Sequence, residues 1–301
     1  MSALPPRSPR HWPTWLGVAL GVFLARWPWA LQRRVGPPLG RLLQRLLRKR
    51  RRAAAINLAL CFPELDDAAR EALLRRHFEA LGMAVFEFLR AWWGDLRAVE
   101  SHYRVSGLEH VEALRASGRG VLLVSCHFTT LELCMRLMCR HLPVAGMYRP
   151  HRQPVMEWAV KRGRMRYAAG MFTREELRPA IRHLKQGGIL WFAPDQETKG
   201  GHSVWAPFFG RPAWSLTSTH QLARLSGAAV LPMFHRRLPD GSYELEVGAP
   251  LEDFPGNDET ADTARIMALF ETLIRRAPEQ YLWVHQRFKR QADGGPNPYS
   301  D

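Results

Sequence analysis

The chain has 301 residues, of which 46% are apolar and 10% aromatic, with 11 Trp and a formal charge of +15. That length and composition supply a sizeable core and exclude a disordered or fibrous chain. Twelve of the 43 Lys and Arg precede Glu64, the first acidic residue, so the positive field belongs to the N-terminal region and calls for an anionic surface, either lipid headgroups or nucleic acid.

Trp15 to Ala25 is an unbroken apolar run, with Arg7, Arg10 and His11 before it and Arg26-Trp27-Pro28-Trp29 after it. It falls short of the ~20 residues a helix needs to cross a bilayer. Extending it to Leu31 places Arg26 inside, which is tolerable only near an end from which the side chain can snorkel. A basic start and a short apolar core also mark signal peptides, but the following Arg block and the bulky Trp-Pro-Trp suit cleavage and export poorly. The segment is therefore read as an uncleaved anchor. Leu39 to Arg52 predicts an amphipathic helix, with Leu39, Leu42, Leu43, Leu46 and Leu47 on one stripe and Arg41, Arg45, Arg48 and Arg52 on another. Its leucines suit the globular body or a membrane interface, and the neighbouring Trp-rich run favours the interface.

From Asp66 the apolar spacing predicts a long helix ending near Trp93-Gly94. Thereafter short β-like runs alternate with helices. Strands are expected at Val121–Ser125, Val144–Tyr148, Ile189–Ala193 and Val230–Phe234. Helices are expected near Thr130–Arg140, Pro154–Arg164, Glu175–Gln186, Ser215–Leu225 and Glu259–Arg276. Tyr243–Val247 alternates after Pro239-Asp-Gly-Ser and predicts a hairpin with the preceding strand. The order implies an α/β fold, a mixed β-sheet flanked by helices, behind an N-terminal membrane-associated helical region. Residues 1–60 are assigned to that region and 61–301 to the α/β domain.

The strand ending at Ser125 runs into Cys126-His-Phe-Thr-Thr-Leu-Glu132, which puts a histidine at a strand-to-helix turn. If His127 precedes the helix and Glu132 lies on its first turns, the carboxylate can accept the Nδ1 proton and leave Nε2 to take one from a hydroxyl. Histidines also cap helices for packing reasons, and the spacing alone does not decide. Cys126 could carry an acyl group with His127 as base, or point into the core as a small hydrophobe, which suits the last residue before a turn. The cysteines, Cys61, Cys126, Cys134 and Cys139, have no zinc-like spacing and fit thiols in a reducing cytosol.

The chain resembles the late acyltransferases of lipid A biosynthesis, the lauroyl/myristoyl transferase family within the wider glycerolipid-acyltransferase-like group. The resemblance rests on Asn57–Glu64, His127–Leu133, Tyr148-Arg-Pro150, Gly163–Arg166, Ala193-Pro-Asp195, Leu222–Gly227 and Pro278–Lys289. It departs at Gln196, where relatives often carry His. By resemblance His127 and Glu132 are the catalytic H-x₄-E pair, in which His127 deprotonates a hydroxyl on a primary acyl chain of a lipid A precursor. That oxygen attacks the thioester of an acyl carrier protein. Arg149 and Arg164 are candidates for stabilising the oxyanion or clamping lipid phosphates, or are surface ion pairs. Asp195 could orient one of these arginines or cap a turn.

The resemblance implies no metal and no cofactor, a carrier protein and a lipid A precursor as partners, and the cytoplasmic face of the bacterial inner membrane. Phe128, Trp191, Phe192, Trp205, Phe208, Phe209 and Trp214 are candidates to line an acyl groove. Two other readings use the same residues. One is acylation of another hydroxylated lipid, such as an ornithine lipid or glycerophospholipid. The other is a non-enzymatic binder of an anionic surface. Nucleic acid is disfavoured because the basic residues concentrate beside an apolar segment instead of spreading over a folded face.

Overall fold

The computed structural model describes residues 5–197 and 200–300. Four helices come first: α1 (Trp12–Ala25), α2 (Trp29–Leu46), α3 (Arg48–Cys61) and α4 (Asp67–Trp93). Asp66 caps α4 by accepting from Ala69 N at 2.7 Å, as its position before the apolar periodicity predicts. α2 lies along α4 with the two backbones in contact. A Cβ at Gly82 would sit 2.1 Å from the Gly36 carbonyl oxygen, and one at Gly40 would sit 2.0 Å from that of Phe78, so the crossing accepts only glycine.

The helix expected over 39–52 is two helices. Leu47 leaves the αR region (φ −92°, ψ 58°), ends α2 and starts α3, and α3 carries Ala53, Ala54, Leu58 and Cys61 into the core. α1 packs Val18, Gly21 and Ala25 inward and leaves Trp12, Leu16, Leu20 and Phe23 exposed. Among the described residues no helix is long and apolar enough to cross a membrane.

Seven strands form a mixed sheet: β1 (Tyr103–Ser106), β2 (Val121–Val124), β3 (Val144–Tyr148), β4 (Gly170–Thr173), β5 (Ile189–Phe192), β8 (Ala229–Arg237) and β9 (Tyr243–Val247), in the order β1-β9-β8-β2-β5-β3-β4. Every pairing is parallel except β8 with β9, the hairpin the sequence predicts. The central strands are buried on both faces, which is why they read as continuous apolar runs. Leu122, Val124, Leu190 and Val230 face one core; Val121, Leu123, Ile189, Trp191 and Leu231 face the other.

Around the sheet lie α5 (Leu108–Ala116), α6 (Leu131–Met138), α7 (Pro154–Arg164), α8 (Leu177–Lys185), α9 (Ser218–Ser226) and α10 (Glu259–Arg276). A separate hairpin, β6 (Ser203–Phe208) with β7 (Arg211–Leu216), is one the sequence reading misses. It takes Ser215, so the helix expected from that residue starts at Ser218 instead.

Candidate active site

β2 and β5 are parallel neighbours with Val124 opposite Phe192. The residues three places beyond each, His127 and Asp195, therefore emerge side by side at the C-terminal edge of the sheet. Asp195 Oδ1 lies 2.6 Å from His127 Nδ1, and its Oδ2 accepts from the His127 backbone N–H at 3.1 Å. The turn is pinned from far along the chain. Leu282 N donates to the His127 carbonyl at 2.9 Å, Thr129 N donates to that of Gln280 at 2.7 Å, and Phe128 bridges to Tyr281.

The expected bond from Glu132 to His127 Nδ1 is replaced by this one. Glu132, on the first turn of α6, faces α4 and α7. It accepts from Trp92 Nε1 at 2.6 Å, from Arg164 Nε at 3.1 and 3.2 Å and from the Tyr167 hydroxyl at 3.3 Å, and it forms a close ion pair with Arg164 Nη2. The approach that allows this depends on Gly163, where a Cβ would stand 2.8 Å from that of Trp92. Asp195 orients the histidine and neither arginine candidate. Arg164, at the end of α7, is held by Glu132 and lies over the Tyr148 ring; Arg149 follows β3 and stands exposed on the rim.

His127, Glu132, Arg149, Arg164 and Gln196 all line one cavity of about 700 Å³, whereas Asp195 is fully buried behind the imidazole. That volume falls within the range of small-molecule sites. Leu131 and Met135 of α6, Cys139 just past its end and all of β3 line the cavity, and Phe78, Leu81, Val85 and Phe88 of α4 line it as well. Of the seven candidate groove aromatics, Phe128 and Trp191 belong to the lining. Phe208 and Phe209 are core residues, and Trp205 and Trp214 pack edge-to-face on each other in the β6–β7 hairpin, which diverts them from the cavity.

Electrostatics divide the site. Burial disfavours a charged His127, but the Asp195 carboxylate outweighs it and raises the imidazole above its ordinary value of 6.5. Asp195 is lowered because the same partner, with its hydrogen bonds, outweighs the burial that would raise it. Burial also opposes the charge on Arg164, but Glu132 restores it and keeps the guanidinium a permanent cation. The Cys126 thiol, wholly buried, is pushed well up by burial and then by Asp195, so it stays protonated. Among the described residues no group of His, Cys, Asp and Glu is arranged to hold a metal ion. The sequence signal for Asp195 is its position just past a buried strand, but the spacing to His127 along the chain gives no hint that they meet.

Residues 5–290 match the family described as bacterial lipid A biosynthesis acyltransferase. The chain belongs to that family. It is 38% identical to the lipid A biosynthesis lauroyltransferase of Escherichia coli K12, over 97% of this chain and 96% of the relative. It is also 38% identical to the palmitoleoyltransferase of that organism, over 97% and 95%, and 28% identical to its myristoyltransferase, over 97% and 92%. The two relatives at equal identity are named for different acyl groups, so the likeness fixes the class of reaction and leaves chain length open. Asn57, in one of the resembling blocks of this acyltransferase, donates to the Trp283 and His285 carbonyls, each at 2.6 Å. It thereby ties α3 to the segment that pins the His127 turn.

Proposed function

We propose that this acyltransferase moves a fatty acyl group from an acyl carrier protein thioester to a hydroxyl on a primary acyl chain of a lipid A precursor, with His127 as general base. The observation that carries the reading is a histidine whose Nδ1 is held by a buried carboxylate while the residue lines a mainly apolar cavity. A carboxylate at Nδ1 favours the tautomer protonated there and leaves the Nε2 lone pair as acceptor. His127 Nε2 takes the hydroxyl proton as the oxygen attacks the thioester carbonyl. The tetrahedral oxyanion collapses, the C–S bond breaks, and the imidazolium returns the proton to the departing thiolate, leaving an ester and the thiol of the carrier.

Glu132 enters this chemistry through Arg164. It fixes a cationic fork on the cavity wall, where Arg164 stabilises the oxyanion or grips a phosphate of the acceptor; Arg149 on the rim is suited to the second task. The concentration of positive charge in the first 63 residues and the exposed apolar face of α1 support a location on the cytoplasmic face of the inner membrane.

The test is mass spectrometry of lipid A from a strain lacking the gene, complemented with the wild-type chain or with His127→Ala. The expected result is a lipid A lighter by one acyl group, restored by wild type only. Restoration by His127→Ala would end the general-base assignment. An unchanged lipid A accompanied by altered glycerophospholipids would end the acceptor assignment.

A further inference from the structure

We infer that the elbow between α2 and α3 is a docking surface for an anionic bilayer, and that the acceptor lipid passes across it into the cavity. The inference rests on the acyl-transfer reading of that cavity. Leu42, Leu46 and Leu47 at the elbow are 49%, 65% and 44% exposed, a cluster of apolar side chains left in water by the fold. Arg45, Arg48 and Lys49 are exposed among them. Among the described residues, Glu79 pairs with Arg41 and Glu71 with Arg51 in this stretch, and Arg45, Arg48 and Lys49 keep it strongly positive.

The elbow is also part of the cavity. Leu43, Leu47 and Arg50 line the space that holds His127, so Leu47 faces both solvent and the site. The apolar surface continues along α4 through Leu81, Val85 and Phe88 to Leu89 and Trp93, against which Gly21 of α1 packs. There the stripe of Trp12, Leu16, Leu20 and Phe23 takes over. An acidic protein would satisfy the arginines and leave this apolar strip in water. A leaflet with anionic headgroups satisfies both, with leucines in the acyl boundary and guanidinium groups on the phosphates. A two-chain lipid then need not leave the bilayer completely to bring a hydroxyl to His127.

The test uses the full chain carrying Leu42→Glu and Leu46→Glu, two positions outside the cavity lining. Binding is read by cosedimentation with vesicles of phosphatidylglycerol and phosphatidylcholine. Transfer is read with the acceptor in those vesicles and dispersed in detergent micelles. Vesicle binding and vesicle turnover should fall about tenfold or more, while micellar turnover stays within about twofold. Unchanged vesicle binding, or equal loss in both formats, overturns the inference.

A second variant, Arg45→Ser with Arg48→Ser and Lys49→Ser, should lose binding to the anionic vesicles and keep its KM for the carrier-protein thioester. A raised KM in both formats with intact vesicle binding would assign the elbow to the donor instead. His127→Ala should bind vesicles like wild type and transfer in neither format. Transfer by that variant would refute the reading of the site while leaving the elbow to be judged by vesicle binding alone.

Discussion

Two buried carboxylates, Asp195 behind the imidazole and Glu132 on the cavity wall, are each held against a different kind of base. Asp195 is paired with an imidazole, which exists in charged and neutral forms, and Glu132 with a guanidinium, which stays charged. The first pair can take up and return a proton, whereas the second can only present fixed charge. The difference lies in the partner, since both carboxylates are almost wholly screened from solvent. It shows that a carboxylate's role in a site is decided by what the fold places against it, and sequence distance from the histidine is a poor guide.

The largest expected effect comes from removing the base. His127→Ala should lower kcat by about 10²–10⁴-fold, and because it leaves the buried Asp195 carboxylate without its partner it should also lower the melting temperature, read by single-turnover transfer and calorimetry. Asp195→Asn should come next, with a loss of about 10²-fold or more, because the amide neither fixes the tautomer nor stabilises the imidazolium.

The pH profile sharpens the contrast. A base works only when neutral, so the rate should climb as pH rises through the His127 pKa, and Asp195 places that limb above 6.5. Asp195→Asn should move the limb to lower pH. Glu132→Gln should leave it in place, since Glu132 is not among the charges that shift His127. A limb that moves with Glu132→Gln and not with Asp195→Asn would reverse the assignment of the two carboxylates.

Glu132→Gln should instead leave Arg164 as an unpaired, largely buried cation. The expected cost is about 3–5 kcal/mol of stability, measured by urea denaturation, together with a fall in turnover. Arg164→Lys keeps the charge but loses the fork, and a loss of about tenfold is expected in transfer assays. The smallest effect should be Cys126→Ala. Its thiol is protonated and sealed in the core, so activity should stay within about twofold of wild type; an acyl adduct trapped on Cys126 would overturn direct transfer.

Much of the frame was legible in the residues. Val144–Tyr148, Pro154–Arg164, Tyr243–Val247 and Glu259–Arg276 form the elements their periodicity predicts, with the bounds expected. His127 sits at the strand-to-helix turn where the run from Val121 places it. The edge strands β1 and β4 escaped because each has four residues, only two of them apolar, which is too short a run to show a pattern. The break at Leu47 escaped because both helices it joins continue the same Leu and Arg spacing.

Local pattern therefore determined which segments become buried strands, which become helices, and where a histidine would stand at the end of one of them. Periodicity and capping act over a few residues, and a sequence displays them directly. Which carboxylate meets that histidine was decided by the parallel register of β2 with β5, which brings residues 127 and 195 together. Strand pairing is set by the packing of both sheet faces at once, and no single segment contains that information.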